Sequence, residues 1–338
     1  MDSRLMLLLG AAAQGFIEYM YGAISKVDVS GPSYISRIDR ILMDYRNAHM
    51  EDTAGEKNVA IVTGANSGVG FVTASALIRA GYQTVLACRN PELAQEALDH
   101  LRRQTGLNNC EVMRLDLASL VSVNEFVEQF KAKYKSLDIL VNNAGVMACP
   151  YAQTKDDIEM QFGTNHIGHF SLTVQLLDCL KAAEHGARVV NVSSMMCIIT
   201  AGIDYGAIGD RTRYSPAGNY TISKLANIMF STALARRLGG TKVTVNSLHP
   251  GTVATNLGRH MTSSAVIGAI ARLFAVDVHE GAFTSIYLAL SPEVDGVSGK
   301  FFMRGEEASS HPNALDKMEQ EKLWEYSEKL IAEKLVIH

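Results

Sequence analysis

From Asn58 onward, short apolar runs alternate with longer stretches of helical spacing. Val59-Ala60-Ile61-Val62 is a β-branched run ending in Thr63-Gly64, and Phe71 to Ala80 follows with helical periodicity, closed by Gly81. Gln83 to Ala87 predicts the next strand and Glu92 to Gln104 the next helix. The alternation continues with a strand at Glu111 to Leu115, a helix at Ser119 to Tyr134 and a strand at Ile139 to Val141. A long helical stretch at Asp156 to Ala183, a strand at Ala187 to Val192, a helix at Tyr220 to Leu238 and a sixth strand at Lys242 to Leu248 complete it. Strands alternating with helices of about 10–20 residues predict an α/β fold, a doubly wound parallel sheet with helices on both faces. Uninterrupted apolar strands such as Val189-Val190-Asn191-Val192 fit burial on both sides. One domain is expected over 57–310, with a helical extension over 311–338 and no internal repeat.

The first 56 residues do not follow this pattern. Leu5 to Ile24 is nearly all apolar, follows Arg4 and precedes Lys26. It approaches the roughly 20 residues that span a bilayer, but Gln14 and Glu18 interrupt it, and an ionised Glu inside hydrocarbon is costly. It reads as a signal anchor or interfacial helix, as a cleaved signal peptide, or as a soluble helix packed on the main domain. The absence of a small-x-small site weighs against the second. Residues 26–56, with Gly31, Pro32 and mixed charges, read as a polar linker with one short helix.

Composition narrows the function classes. With 47% hydrophobic and 20% charged residues in 338, the chain can bury a large core. A net charge of -4 gives no electrostatic reason to expect nucleic acid. Cys88, Cys110, Cys149, Cys179 and Cys197 form no CxxC pair, which argues against a disulfide framework or a zinc cluster and for small buried hydrophobes.

Thr63-Gly64-Ala65-Asn66-Ser67-Gly68-Val69-Gly70 joins the first strand to the first helix. Glycines allow a tight turn and close approach to a pyrophosphate resting on the helix N-terminus. An ordinary strand-to-helix turn needs one glycine, whereas three at this spacing, in this context, point to a Rossmann-type dinucleotide site. The second strand ends in Ala87-Cys88-Arg89-Asn90, with an arginine where NAD sites carry an acid for the ribose 2′-hydroxyl. A guanidinium forks onto phosphate, so NADP/NADPH is expected over NAD, with the Ser67 hydroxyl on the same phosphate. The competing reading makes Arg89 a solvated surface charge.

Tyr220-Thr-Ile-Ser-Lys224 places a phenol and an ammonium four residues apart on one helical face. A neighbouring ammonium and an oxidised nicotinamide favour the phenolate, bringing a pKa near 10 toward the working range. Alone, this spacing is common on surface helices. Here Ser193-Ser194 ends the fifth strand, Asn142-Asn143-Ala144-Gly145 ends the fourth, and Asn165 lies in a nearby helical stretch. Pro250-Gly251-Thr252-Val253-Ala254-Thr255 follows the sixth strand and offers backbone amides to nicotinamide or phosphate.

Taken in this order, the motifs resemble the short-chain dehydrogenase/reductase family over residues 57 to about 310. Ala-Cys-Arg-Asn, Gly-His-Phe-Ser-Leu-Thr and Lys-Leu-Ala-Asn are similar to the retinol-dehydrogenase-like branch, which also holds the relative named for the X chromosome and the WW-domain oxidoreductase. The resemblance implies that Tyr220 is the acid/base and that Lys224 lowers its pKa and holds the nicotinamide ribose. It gives Ser194, rather than Ser193, the positioning of the carbonyl, and Asn165 a water linking Lys224 to solvent. It runs the cofactor along Gly64, Asn66, Ser67, Gly68, Val69, Gly70 and Arg89. Asp116, with Leu117 beside it, would take the adenine, and Asn143, with Ala144 and Gly145, the adenosine side. Pro250, Gly251, Val253 and Thr255 would line the nicotinamide end. The 26 positions from Ser194 to Tyr220 imply a loop over the substrate mouth, as in the long form of that branch.

The expected substrate is a lipophilic alcohol or carbonyl, with retinoid, steroid, polyprenoid and xenobiotic compounds all open. Ser264 to Val276 reads either as an apolar lid or as ordinary core packing. Residues 5–24 are expected to tether the enzyme to an intracellular membrane, the endoplasmic reticulum, with the catalytic domain facing the cytosol; a cytoplasmic enzyme is the alternative. Glycans on the sequons at Asn191 and Asn219 would be hard to accommodate, which fits a cytosolic face. A chain starting near Glu51 is expected to stay soluble and keep its cofactor site. The alternative class is a cofactor-binding scaffold without turnover, against which an intact Asn165, Ser194, Tyr220 and Lys224 set argues.

Overall fold

The computed structural model describes residues 33–49, 58–251 and 276–336. Its strands are β1 (Val59–Thr63), β2 (Gln83–Cys88), β3 (Cys110–Arg114), β4 (Ile139–Asn142), β5 (Ala187–Val192), β6 (Val243–His249), β7 (Phe301–Met303) and β8 (Glu306–Glu307). They form one sheet in the order β3-β2-β1-β4-β5-β6-β7-β8, parallel throughout except for β8. The six expected strands are all present. β7 and β8 extend the edge and are too short to carry a period in sequence.

The longer helices are α1 (Tyr34–Ala48), α2 (Gly68–Arg79), α3 (Pro91–Thr105), α4 (Leu120–Lys133), α5 (Gly168–Gln175), α6 (Leu177–Lys181), α7 (Pro216–Arg237), α8 (Val278–Leu290) and α9 (Lys317–Leu335). Successive strand side chains point to opposite faces. Ala60, Val62, Leu86, Val141 and Val190 therefore pack with α1, α2, α3 and α8. Val59, Ile61, Val85, Leu140 and Val189 pack with α4, α5, α6 and α7, and with Trp324 of α9. Local chemistry sets the helix ends. Asn90 Oδ1 accepts from Leu93 N at 2.8 Å, Pro91 opens α3, and Gly106 closes it at φ 70. Ser215 caps α7 ahead of Pro216, accepting from Gly218 N at 3.2 Å.

Two expectations need correction. Residues 26–56 are more than a linker with a short helix. α1 runs 15 residues, and Ile38, Ile41, Leu42 and Tyr45 are buried in the same core as α2 and α8. A chain starting near Glu51 would therefore expose an apolar face on α2 and α8 rather than stay simply soluble. The stretch from Asp156 is not helical until Met160. The Thr154 hydroxyl accepts from the amides of Asp156 and Ile158, each at 3.2 Å, and Asp157 sits at φ 54. Glu159 then caps the helix start by accepting from Gln161 N and Phe162 N. Side-chain oxygens here outcompete the helical backbone pattern.

The strand order reverses between β1 and β4, so the crevice beyond their carboxyl ends is where this architecture binds ligands. Among the described residues no helix is long and apolar enough to cross a membrane. Residues 5–24 lie outside them. All five cysteines are buried and none is in a disulfide.

Candidate active site

The glycine turn sits at that reversal. Gly64 and Gly68 adopt φ 66 and 59, a region that favours glycine. At Gly70 a Cβ would lie 2.5 Å from Gly64 O and 2.4 Å from Asn143 Nδ2, so backbone and side chain already occupy that space. Val69 is buried beneath the turn and Asn66 is half-buried. Ser67 stands at the N-cap of α2 and is exposed, yet its hydroxyl makes no cap bond, and the first turn holds no acidic residue. Arg89, at the end of β2, is exposed with no ion pair among the described residues. Uncapped amides, a free hydroxyl and a guanidinium fit a phosphate.

Asp116 is buried after β3 and pairs with Lys155 Nζ at 3.3 Å. Leu117 lies against Gly168, where a Cβ would meet the Leu117 carbonyl at 2.4 Å. Asn143 turns its side chain inward, donating from Nδ2 to Thr63 O at 2.8 Å and thus stapling β4 to β1. At Gly145 a Cβ would lie 3.1 Å from Asn165 Oδ1 and 3.6 Å from Lys224 Nζ. The absent side chain leaves open space beside both groups. These residues fit a nicotinamide dinucleotide along the carboxyl edge of the sheet.

Tyr220 and Lys224 share one face of α7, with Nζ 5.8 Å from the phenol ring centroid. Both are buried. The Ser194 hydroxyl lies near enough to the Tyr220 phenol to lower its pKa, whereas Ser193 donates from Oγ to Lys224 O at 2.6 Å. Burial pushes the phenol up to about 12, against the lowering effect of Ser194. Burial pulls the Lys224 ammonium down to about 8, and Nζ donates to Val192 O at 3.0 Å. Asn165 lies in a π turn, Gly163–Ile167. Its Oδ1 accepts from Val146 N at 2.8 Å, and its Nδ2 donates to Val146 O at 2.9 Å and Ser223 Oγ at 3.0 Å. The structure thus gathers Asn165, Ser194, Tyr220 and Lys224 at the ends of β4 and β5. A protonated phenol beside a hydroxyl and an ammonium can exchange a proton with a substrate oxygen. Pro250 and Gly251 follow β6 close by; Val253, Thr255 and most of the 264–276 segment lie outside the described residues.

Around the Tyr220 ring pack Ala148, Met196, Ala217 and Met147, an apolar wall. The loop from Ser194 to Tyr220 is tied across the opening. Tyr214 donates to Cys149 O at 2.6 Å and Tyr151 to Gly209 O at 3.4 Å. Gln161, fully buried, accepts from Ala148 N at 2.8 Å and donates to Pro216 O at 2.9 Å. Sequence reasoning gave no role to Gln161, Met196 or His169. His169 alone left a trace, one helical turn after Asn165.

Comparison with known proteins bears on the family. A family model described as short chain dehydrogenase matches residues 58–265. Human retinol dehydrogenase 14 is 43% identical over 288 residues, covering 80% of this chain and 85% of that protein. The chloroplastic short-chain dehydrogenase TIC 32 B of Brassica napus is 41% identical over 281 residues, covering 80% and 88%. A solved structure of an uncharacterized Mycobacterium paratuberculosis protein superposes with a TM-score of 0.66 at 35% identity, over 82% of this chain and 94% of that one.

Proposed function

The chain belongs to the short-chain dehydrogenase/reductase family, oxidoreductases acting on CH–OH groups, and from that premise we propose an NADP(H)-dependent enzyme that interconverts a lipophilic alcohol and its carbonyl. A bound nicotinamide would supply or accept the hydride. Tyr220 gives its proton to the substrate oxygen in reduction and takes it back in oxidation. The raised phenol favours the protonated, donating form at rest. Ser194 holds the same oxygen. Lys224 keeps a cation beside the phenol, which lowers the cost of the phenolate, and would hold the nicotinamide ribose. Asn165 would anchor a water linking Lys224 to solvent.

The observation that carries this reading is the Tyr220 phenol, buried among Met147, Ala148, Met196 and Ala217 with the Lys224 ammonium 5.8 Å from its ring. That wall offers the substrate an apolar flank beside the phenol, with the Lys224 ammonium on the ring's other contact. Retinoid, steroid, polyprenoid and xenobiotic carbonyls all fit that description, and the retinol dehydrogenase name of one relative favours the first. The exposed Arg89 and uncapped Ser67 support NADP over NAD. Asp116, Leu117, Asn143 and the 250–255 segment would complete the cofactor site. Tethering through residues 5–24 to the endoplasmic reticulum, with the catalytic domain in the cytosol, would bring such substrates within reach, since they partition into bilayers.

Tyr220→Phe tests the assignment. It should remove turnover of retinaldehyde and medium-chain aldehydes by at least about 100-fold while leaving NADPH fluorescence titration near wild type. Retained turnover would sink it.

A further inference from the structure

His169 lies in α5, is buried, and touches two parts of the site at once. Its Nδ1 is 3.0 Å from the Asn165 backbone carbonyl, and its Nε2 is 2.9 Å from Thr63 Oγ1. A carbonyl can only accept, so Nδ1 carries the proton. Burial, with Lys224 nearby, pushes the imidazole down to about 4 and keeps it neutral. Nε2 is therefore an acceptor, and the Thr63 hydroxyl donates to it. The Thr63 oxygen in turn accepts the amides of Asn143 and Ala144, each at 2.9 Å. The hydroxyl proton has two acceptors in reach, His169 Nε2 at 2.9 Å and Val141 O at 3.4 Å, and the shorter contact takes it.

Resting on the assignment of Asn165 given above, we propose that His169 is a positioning residue that couples the glycine turn to Asn165, with one ring nitrogen serving each side. The Nε2 arm fixes the Thr63 hydroxyl, hence the β4 loop that Thr63 holds against the turn. Ala144 sits 3.1 Å from where a Gly64 Cβ would be, so a shift of that loop reshapes the cofactor cradle. The Nδ1 arm fixes the Asn165 carbonyl inside the π turn. That aims the Asn165 side chain at Val146 and Ser223, the residue before Lys224.

Covalent geometry separates the two arms. The asparagine amide nitrogen is as many bonds from Cα as His Nδ1, and the glutamine amide as many as His Nε2. H169N keeps a donor for Asn165 O and loses the acceptor for Thr63; H169Q does the reverse. H169N should weaken NADPH about tenfold by fluorescence titration, with a smaller fall in kcat. H169Q should lower kcat at saturating NADPH about tenfold with a smaller change in affinity. His169→Leu should lose both. Thermal unfolding of each variant reads general damage separately. Equal effects of H169N and H169Q on both quantities, or losses that track melting temperature alone, would overturn the coupling. If wild-type enzyme turns over no carbonyl tested, the functional reading fails. The NADPH affinities of H169N and H169Q still decide the Thr63 arm: no difference between them would overturn the proposal.

Discussion

Replacing Lys224 with methionine should abolish turnover and make the cofactor-free chain harder to unfold. The ammonium is 3% exposed, and burial lowers its pKa from 10.5 to about 8. At about 1.4 kcal/mol per tenfold in proton affinity, the native state carries about 3 kcal/mol of charging cost at pH 7. Methionine fills a similar volume without charge. It gives up the bond from Nζ to Val192 O at 3.0 Å, a loss of about 1 kcal/mol. That carbonyl keeps Asn227 Nδ2 at 3.4 Å. The net gain is about 2 kcal/mol, or about 3 °C in Tm for a chain of this size. The sign with pH is fixed. Below pH 8 the lysine is protonated in both states and the gap is constant. Between about 8 and 10.5 the native state releases the proton while the unfolded chain holds it, so wild-type stability rises and the gap closes. Thermal unfolding of both proteins without cofactor, from pH 7 to 10.5, measures this directly. A variant that melts at or below wild type at pH 7, or a gap that does not narrow, would refute the burial argument.

Three further outcomes are expected. Gly70→Ala drives a methyl into Gly64 O and Asn143 Nδ2, so it should cost about 1–3 kcal/mol and remove measurable NADPH binding in a fluorescence titration. Arg89→Ala should weaken NADPH about tenfold or more and NADH little, because a guanidinium on phosphate is worth about 1.5–3 kcal/mol; equal losses would show that it does not read the phosphate. Trp324 stacks edge-on against Phe170 at 4.9 Å and under the Arg237 guanidinium at 4.1 Å. Trp324→Ala should therefore lower unfolding free energy by about 3–5 kcal/mol in a urea titration.

Much of this molecule is legible from sequence where the determinants are local. β1, β4 and β5 are mainly apolar runs, and such runs are buried on both faces of a parallel sheet. Tyr220 and Lys224 meet because a spacing of four fixes them on one helical face. α1 also shows its signal, in Ile38, Ile41, Leu42 and Tyr45 at i, i+3, i+4 and i+7. Its mixed-charge outer face hides that stripe when the segment is averaged. The contacts that tune the site are different. Thr63 and His169 stand 106 residues apart, and Gln161 reaches Tyr214 across 53. Only the packed sheet brings them together, and no periodicity encodes a histidine tautomer.

The π turn at Gly163–Ile167 closes with Gly168 N donating to Gly163 O, one residue wider than an α-helical turn. That makes chain length itself a determinant of the site. The wide turn absorbs one extra residue, so deleting one there would restore ordinary pitch with the helical faces on either side still aligned. Upstream stand Glu159 and Gln161, bound to the start of α7; downstream stand His169 and Phe170, bound to Thr63 and Trp324. Both ends would keep their bonds, and the loss would fall on the turn itself, which displays Asn165 to Val146 and Ser223. Loss of a codon in this turn other than that of Asn165 would therefore misplace Asn165 and silence the enzyme while every side chain assigned to its chemistry is still encoded.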